Sequence, residues 1–142
     1  MKCKEYIYNN ASINDYSELN SGISWWKIFL NEWVSIWKYN IIQSWTNKTI
    51  KIWKNTIFWP LCIMIWANHK YDNINIPIKK QWGISKDIII KENAWCASSV
   101  IILWWSIIWK NSVIWANSLV LKELEDYWVY VGSPCKKIKN IS

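Results

Sequence analysis

Apolar residues recur along this chain at a spacing that fits neither a helix nor a simple strand. From Ile90 onward, Ile90, Cys96, Ile102, Ile108, Ile114 and Val120 stand six residues apart. Four residues after each of the first five come Ala94, Val100, Ser106, Ser112 and Ser118, small or compact every time. An amphipathic helix would place apolar residues at three- and four-residue intervals, and an alternating strand would not hold Ser at one phase. A six-residue repeat with an inward aliphatic and a small second residue predicts a parallel β-helix, an all-β fold with one short strand and one corner per repeat.

The same phase runs upstream with interruptions. Leu30, Ile36 and Ile42 form one run, and Ile52, Phe58 and Met64 another, with Thr56 and Cys62 at the small-residue phase. "SWTNKT" lies between these runs as a turn-like insertion. The beat then lapses over "WANHKYDNINIPIKKQWGISKD", which is polar, Asn-rich and Pro-bearing. This reads as a loop projecting from the coil over residues 66–87, and loops of that length in a compact domain commonly carry function. The pattern divides the chain into an irregular segment 1–27, a β-helix 28–121 with its projecting loop, and a C-terminal extension 122–142.

Composition changes the picture in one respect. Of 142 residues, 15 are Trp while Gly and Pro number only 3 each, few for a chain with so many corners. The net charge of +7 is carried by Lys alone, which suits an anionic partner without choosing one. No nucleic-acid-reading motif stands out, and the lysines are scattered. Cys3, Cys62, Cys96 and Cys135 show no CxxC pair or zinc-ligand spacing, so reduced thiols and no metal are expected. The start "MKCKEYIYNN" has no apolar leader region and no run reaches the length of a membrane span, so a soluble, cytoplasmic protein is expected.

The segments "ANHKYDNINIPI", "ENAWCASSVIIL" and "VGSPCKKI" resemble the hexapeptide-repeat O-acetyltransferases, above all the maltose, galactoside and polysaccharide-modifying sugar enzymes. The resemblance covers roughly residues 28–141. It implies a single left-handed parallel β-helix, a homotrimer, and acetyl-CoA bound in the groove between neighbouring subunits. A trimeric metal-dependent carbonic anhydrase would use the same fold, but one histidine per chain cannot build its three-histidine site. A catalytically inactive trimeric scaffold is the competing reading.

The chain departs from the family in a systematic way. Trp37, Trp53, Trp59, Trp66, Trp109 and Trp115 follow inward positions where the family has Gly, and Trp104 and Trp105 replace a Pro-Gly or Gly-Gly corner. If these corners need glycine-like backbone angles, an indole at each would cost about 1–3 kcal/mol. Several would consume the roughly 5–15 kcal/mol that holds a domain together. The expectation is that UGA codons meaning glycine have been read as tryptophan in an AT-rich gene, which the Ile, Asn and Lys usage suits. Trp95 is the exception, since the family has a genuine Trp there, and Trp128 is undecided.

His69 is the one histidine, in the projecting loop. Imidazole, with an ordinary pKa near 6.5, suits a base that takes a hydroxyl proton at neutral pH, and the family's catalytic His lies in the corresponding loop. With no nucleophile motif, direct transfer in a ternary complex is expected over a covalent acyl-enzyme. The resemblance also implies that Asn40 and Trp95 line the acceptor and acetyl site, and Asp72 in the loop is expected to hold it or to orient His69 beside the substrate. It further implies that Ala97, Ser98, Ala116 and Lys122 follow the pantetheine, and that Lys136, Lys137 and Lys139 face the phosphates. The acceptor is expected to be a sugar, free or within a polysaccharide.

Overall fold

The computed structural model describes residues 6–7, 10–20, 28–44 and 48–142; Cys3 and Gly22 lie outside them. The chain winds as a triangular coil whose turns each contribute one strand to each of three parallel sheets. The first turn holds β1 (Tyr6–Ile7), β2 (Ser12–Ile13) and β3 (Glu18–Asn20), and the second β4 (Ile28–Leu30), β5 (Ser35–Ile36) and β6 (Ile41–Gln43). The third holds β7 (Ile50–Ile52), β8 (Ile57–Phe58) and β9 (Ile63–Ile65). Here a hairpin arm, β10 (Ala67–His69) and β11 (Gly83–Ser85), interrupts the winding. The fourth turn is β12 (Ile88–Ile90), β13 (Trp95–Cys96) and β14 (Ile101–Leu103). The fifth is β15 (Ile107–Ile108), β16 (Val113–Ile114) and β17 (Leu119–Val120).

Sheet A contains β1, β4, β7, β12 and β15, and sheet C contains β3, β6, β9, β14 and β17. Sheet B contains β2, β5, β8, β13 and β16 and continues into β18 (Trp128–Val131) and β19 (Lys136–Asn140). The expected boundaries shift at both ends. The segment read as irregular supplies β1–β3, paired in parallel with β4–β6, because Ile7, Ile13 and Leu19 keep the six-residue spacing. At the other end Leu124 bridges Ile108 and β18 pairs with β16, so the coil continues past Leu121 before β19 folds back antiparallel.

The hexapeptide beat is the inside of this coil. Ile90, Cys96, Ile102, Ile108, Ile114 and Val120 are all buried, as are Ala94, Val100, Ser106, Ser112 and Ser118. Equivalent residues stack one coil above another, Met64 on Ile102 on Val120 in sheet C for example. Burying such columns supplies the favourable term, roughly 25 cal/mol per Å² of apolar surface. The serines are tolerated inside because their hydroxyls reach the next coil: Ser106 Oγ donates to Val120 O at 3.2 Å and Ser112 Oγ to Glu125 O at 2.9 Å.

Corner geometry corrects one expectation. Trp37, Trp53, Trp59, Trp66, Trp109 and Trp115 have no left-handed backbone angles; those fall at the third residue after an inward position, as at Tyr39 after Ile36 and Leu61 after Phe58. There Asn55, Asn93, Asn111 and Asn117 have φ of 56–61°, as suits Asn, and Trp33 and Trp105 have φ of 59° and 71°. The indoles that follow inward residues instead lie along the outside of the corners. Trp37 stacks on Trp59 with ring centroids 5.8 Å apart, and Lys91 Nζ sits 4.7 Å from the Trp53 ring and 5.4 Å from the Trp109 ring.

Candidate active site

His69 is carried on the arm, which leaves the coil after β9 of sheet C and returns at β12 of sheet A. The hairpin pairs Ala67 with Ser85, Asn68 with Ile84, and His69 with Gly83. Gly83 serves a close approach, since a Cβ there would lie 3.3 Å from the Asn68 carbonyl oxygen. His69 is exposed, and its Nδ1 lies 3.4 Å from the backbone oxygen of Gln81. The imidazole's partner is thus this carbonyl and not Asp72, which stands exposed further along the arm.

Asn40 lies inside the coil. Its position, four residues after Ile36, is the inward corner phase, and the side chain is only 1% exposed. Nδ2 donates to the Trp37 carbonyl at 2.6 Å, while Oδ1 accepts from Cys62 N–H at 3.0 Å. Both ends are engaged in tying one coil to the next, a structural use for a residue expected at the acceptor.

Trp95 lies on the outer side of sheet B beside the inward Cys96 and meets Trp59 edge-on, centroids 5.0 Å apart. Its Nε1–H is the one buried side-chain polar atom without a hydrogen-bond partner among the described residues. Ala97, Ser98 and Ala116 gather on the neighbouring edge, where sheets B and C meet in the fourth and fifth turns, linked by Asn117 N–H to Ser98 O at 3.0 Å. Trp115, 52% exposed, stands immediately beside Ala116 on that edge. Lys122 is exposed after sheet C, and Lys136, Lys137 and Lys139 are exposed on β19. Lys137 is engaged with Glu125 at 2.5 Å and lies 4.8 Å from the Trp128 ring, which leaves Lys136 and Lys139 as the less committed cations of that strand.

Burial shapes the thiols differently from reactive ones. The Cys62 thiol is pushed up to about 11 by burial, and Cys96, deeper still, is raised for the same reason with Cys62 and Cys135 adding to it. Both are inert core residues and not nucleophiles. Sequence reasoning did not single out Gln81. It is the buried residue of the arm, and a Gln between two runs of exposed residues carries little signal by itself.

No family profile matches the chain. A galactoside O-acetyltransferase of Lactococcus lactis is 35% identical over 85 residues, 56% of this chain and 41% of the relative. A Mycobacterium tuberculosis protein named a "probable acetyltransferase" is 28% identical over 101 residues, 71% of this chain and 33% of its own. The chain therefore spans about a third to two fifths of the length of these curated relatives. Among solved structures, a hexapeptide-repeat acetyltransferase of Vibrio cholerae in complex with acetyl coenzyme A superposes with a TM-score of 0.72 at 19% identity, covering 94% of this chain and 72% of that one. Repeat, coil and likeness define a hexapeptide-repeat protein with a single left-handed parallel β-helix, a hand that most strand crossovers avoid. In sequence the chain is similar to acetyltransferases, and in fold to the hexapeptide-repeat acetyltransferases. Among the described residues no helix is long and apolar enough to cross a membrane.

Proposed function

We propose that this chain transfers an acetyl group from acetyl-CoA to a hydroxyl of a sugar, with His69 as general base and without a covalent enzyme intermediate. One observation carries the reading: between β9 and β12 the coil is interrupted by an arm that presents the lone imidazole to solvent. His69 Nε2 takes the acceptor hydroxyl proton as that oxygen attacks the thioester carbonyl. Collapse of the tetrahedral intermediate breaks the carbon–sulfur bond, and the departing thiolate takes the proton from the imidazolium and leaves as free thiol. Donors must meet the oxyanion, a task suited to backbone N–H groups.

Within one chain these parts face apart. The arm leaves the edge between sheets C and A, whereas Trp95 stands on sheet B, the face opposite that edge. A second copy supplying the arm opposite Trp95 and the Ala97–Ala116 edge completes the site, which supports a homotrimer with acetyl-CoA between neighbours. Small side chains at Ala97, Ser98 and Ala116 suit a pantetheine lying close to the backbone, and Lys136 and Lys139 suit its phosphates. The sugar class follows the galactoside O-acetyltransferase relative.

The test is thiol release from acetyl-CoA against a panel of mono- and oligosaccharides. His69→Ala should lower turnover by roughly 10²- to 10⁴-fold, with oligomeric state and acetyl-CoA binding unchanged. Near-normal turnover of that variant would remove His69 as the base. No thiol release with any acceptor, together with no acetyl-CoA binding, would favour a non-catalytic scaffold.

A further inference from the structure

We infer that Gln81 is a positioning residue that fixes which nitrogen of His69 serves as the base. This rests on the reading of His69 as the base. Beyond the β10–β11 ladder, the arm runs through a turn whose backbone has few ladder partners, and from His69 to Ile84 every residue is exposed except Gln81, at 8%. Its side-chain amide crosses the arm. Nε2 donates to Ile76 O at 2.8 Å and to Asn73 O at 3.0 Å, and Oε1 faces Asn73 N–H at 3.4 Å. The Gln81 N–H donates to Ile78 O at 3.0 Å, closing the one-turn 3-10 segment Ile78–Lys80. Lys70 N–H reaches Trp82 O at 3.3 Å on the other side. One buried amide thus anchors the far limb of the arm to its near limb.

The same residue's carbonyl faces His69 Nδ1 at 3.4 Å. A carbonyl can only accept, so a hydrogen bond there requires the proton on Nδ1 and leaves the lone pair on Nε2. The distance is long for this bond, so its strength depends on how firmly the carbonyl is held. Without the Gln81 amide, the 73–76 turn loses its cross-link to residue 81 and the carbonyl is released. The imidazole then loses its tautomer preference and its direction, although His69 itself is untouched. Second partners of this kind orient functional imidazoles elsewhere, and their loss typically costs about 10- to 100-fold.

The chain has one histidine, so the imidazole can be read without ambiguity. Long-range proton–nitrogen NMR correlation of uniformly labelled protein, in alkaline buffer where the ring is neutral, distinguishes the two tautomers. The Nδ1–H form should dominate in the unaltered protein. Gln81→Leu, similar in size and without hydrogen bonds, should shift the ratio toward the Nε2–H form that free histidine favours. It should also lower kcat by about tenfold or more, with KM for acetyl-CoA unchanged. Gln81→Glu, which keeps the acceptor and loses both donors, should show the same shift, and serves if the Leu variant does not fold. An unchanged tautomer ratio in a folded Gln81 variant would overturn the inference, as would an Nε2–H imidazole in the unaltered protein. The tautomer is read without substrate, so this result is independent of the His69→Ala turnover that tests the base itself.

Discussion

Asn40→Ala separates a coil-tying residue from a substrate-binding one. The side chain bridges two coils, donating to Trp37 O at 2.6 Å and accepting from Cys62 N–H at 3.0 Å. Its removal affects the two partners unequally. Trp37 O keeps the Ser17 hydroxyl at 2.7 Å, so the loss there is one hydrogen bond, about 1 kcal/mol. The Cys62 N–H is buried and its recorded acceptor is Asn40, so it is left unsatisfied at about 1–3 kcal/mol. The sum is about 2–4 kcal/mol, a large share of the roughly 5–15 kcal/mol expected of a domain. Urea denaturation followed by fluorescence should therefore show a lower midpoint with an unchanged slope. At a temperature where the variant remains folded, kcat and KM should stay within about twofold of the parent. Asn40→Asp adds a sign test. It keeps the acceptor for Cys62 N–H but sets a buried carboxylate against the Trp37 carbonyl, so its folded-state pKa rises. The variant should therefore gain stability as pH falls and the protonated carboxyl becomes able to donate. Stability within about 0.5 kcal/mol of the parent, combined with lost turnover, would show that Asn40 serves the substrate after all.

Ile102, buried between Met64 and Val120, should cost about 3–4 kcal/mol as Ile102→Ala and about 1 kcal/mol as Ile102→Val; equal small losses would mean the column is not packed. Because burial raises the Cys62 thiol to about 11 and raises Cys96 and Cys135 too, a folded Cys3→Ser variant at pH 8 should label with a disulfide reagent only on unfolding. Rapid labelling while folded would contradict the burial. Protein isolated from its natural source should have an intact mass lower than the sequence by one indolylmethyl group for each recoded glycine, and UGG codons at Trp53, Trp109 and Trp115 would end that idea. On the Trp-bearing chain, Trp115→Gly should tighten acetyl-CoA binding, since the indole stands beside Ala116 on the edge assigned to the pantetheine; weaker binding would mean that the indole is part of the ligand site.

The fold was legible because a β-helix writes its inside face at a fixed period. Ile90 through Val120 needed no tertiary information to be placed, and the lapse of the beat located the arm that carries His69. The first turn was missed although Ile7, Ile13 and Leu19 keep the six-residue spacing, because the intervening residues are polar and β2 and β3 bury little: Ser12, Glu18 and Asn20 are exposed. The inter-coil bonds of Asn40 were not legible, for a different reason. Its phase, four after Ile36, already assigned it to the corner interior beside Val34 and Thr56, but a polar residue there reads as chemistry until its partners are seen. Gln81 could not be found from the sequence, since its importance lies in three contacts that only the folded arm creates.

The tryptophans divide along the same lines, and the division bears on what they mean. Those following inward residues have ordinary backbone angles, so nothing in the coil requires glycine there. Their indoles find contacts, such as Trp37 on Trp59 and the Lys91 ammonium between Trp53 and Trp109. The left-handed angles fall at the third residue after an inward position, where Trp33 and Trp105 hold φ of 59° and 71°, Asn stands at five corners, and Tyr16, Tyr39, Leu61, Ser99 and Tyr127 at others. Left-handed angles favour glycine at Trp33 and Trp105 no more than at Tyr39 or Leu61, while likeness to the family argues for it at Trp37, Trp53, Trp59, Trp66, Trp109 and Trp115. A single decoding event would alter both groups at once. One reading of the codons therefore decides both groups of positions together.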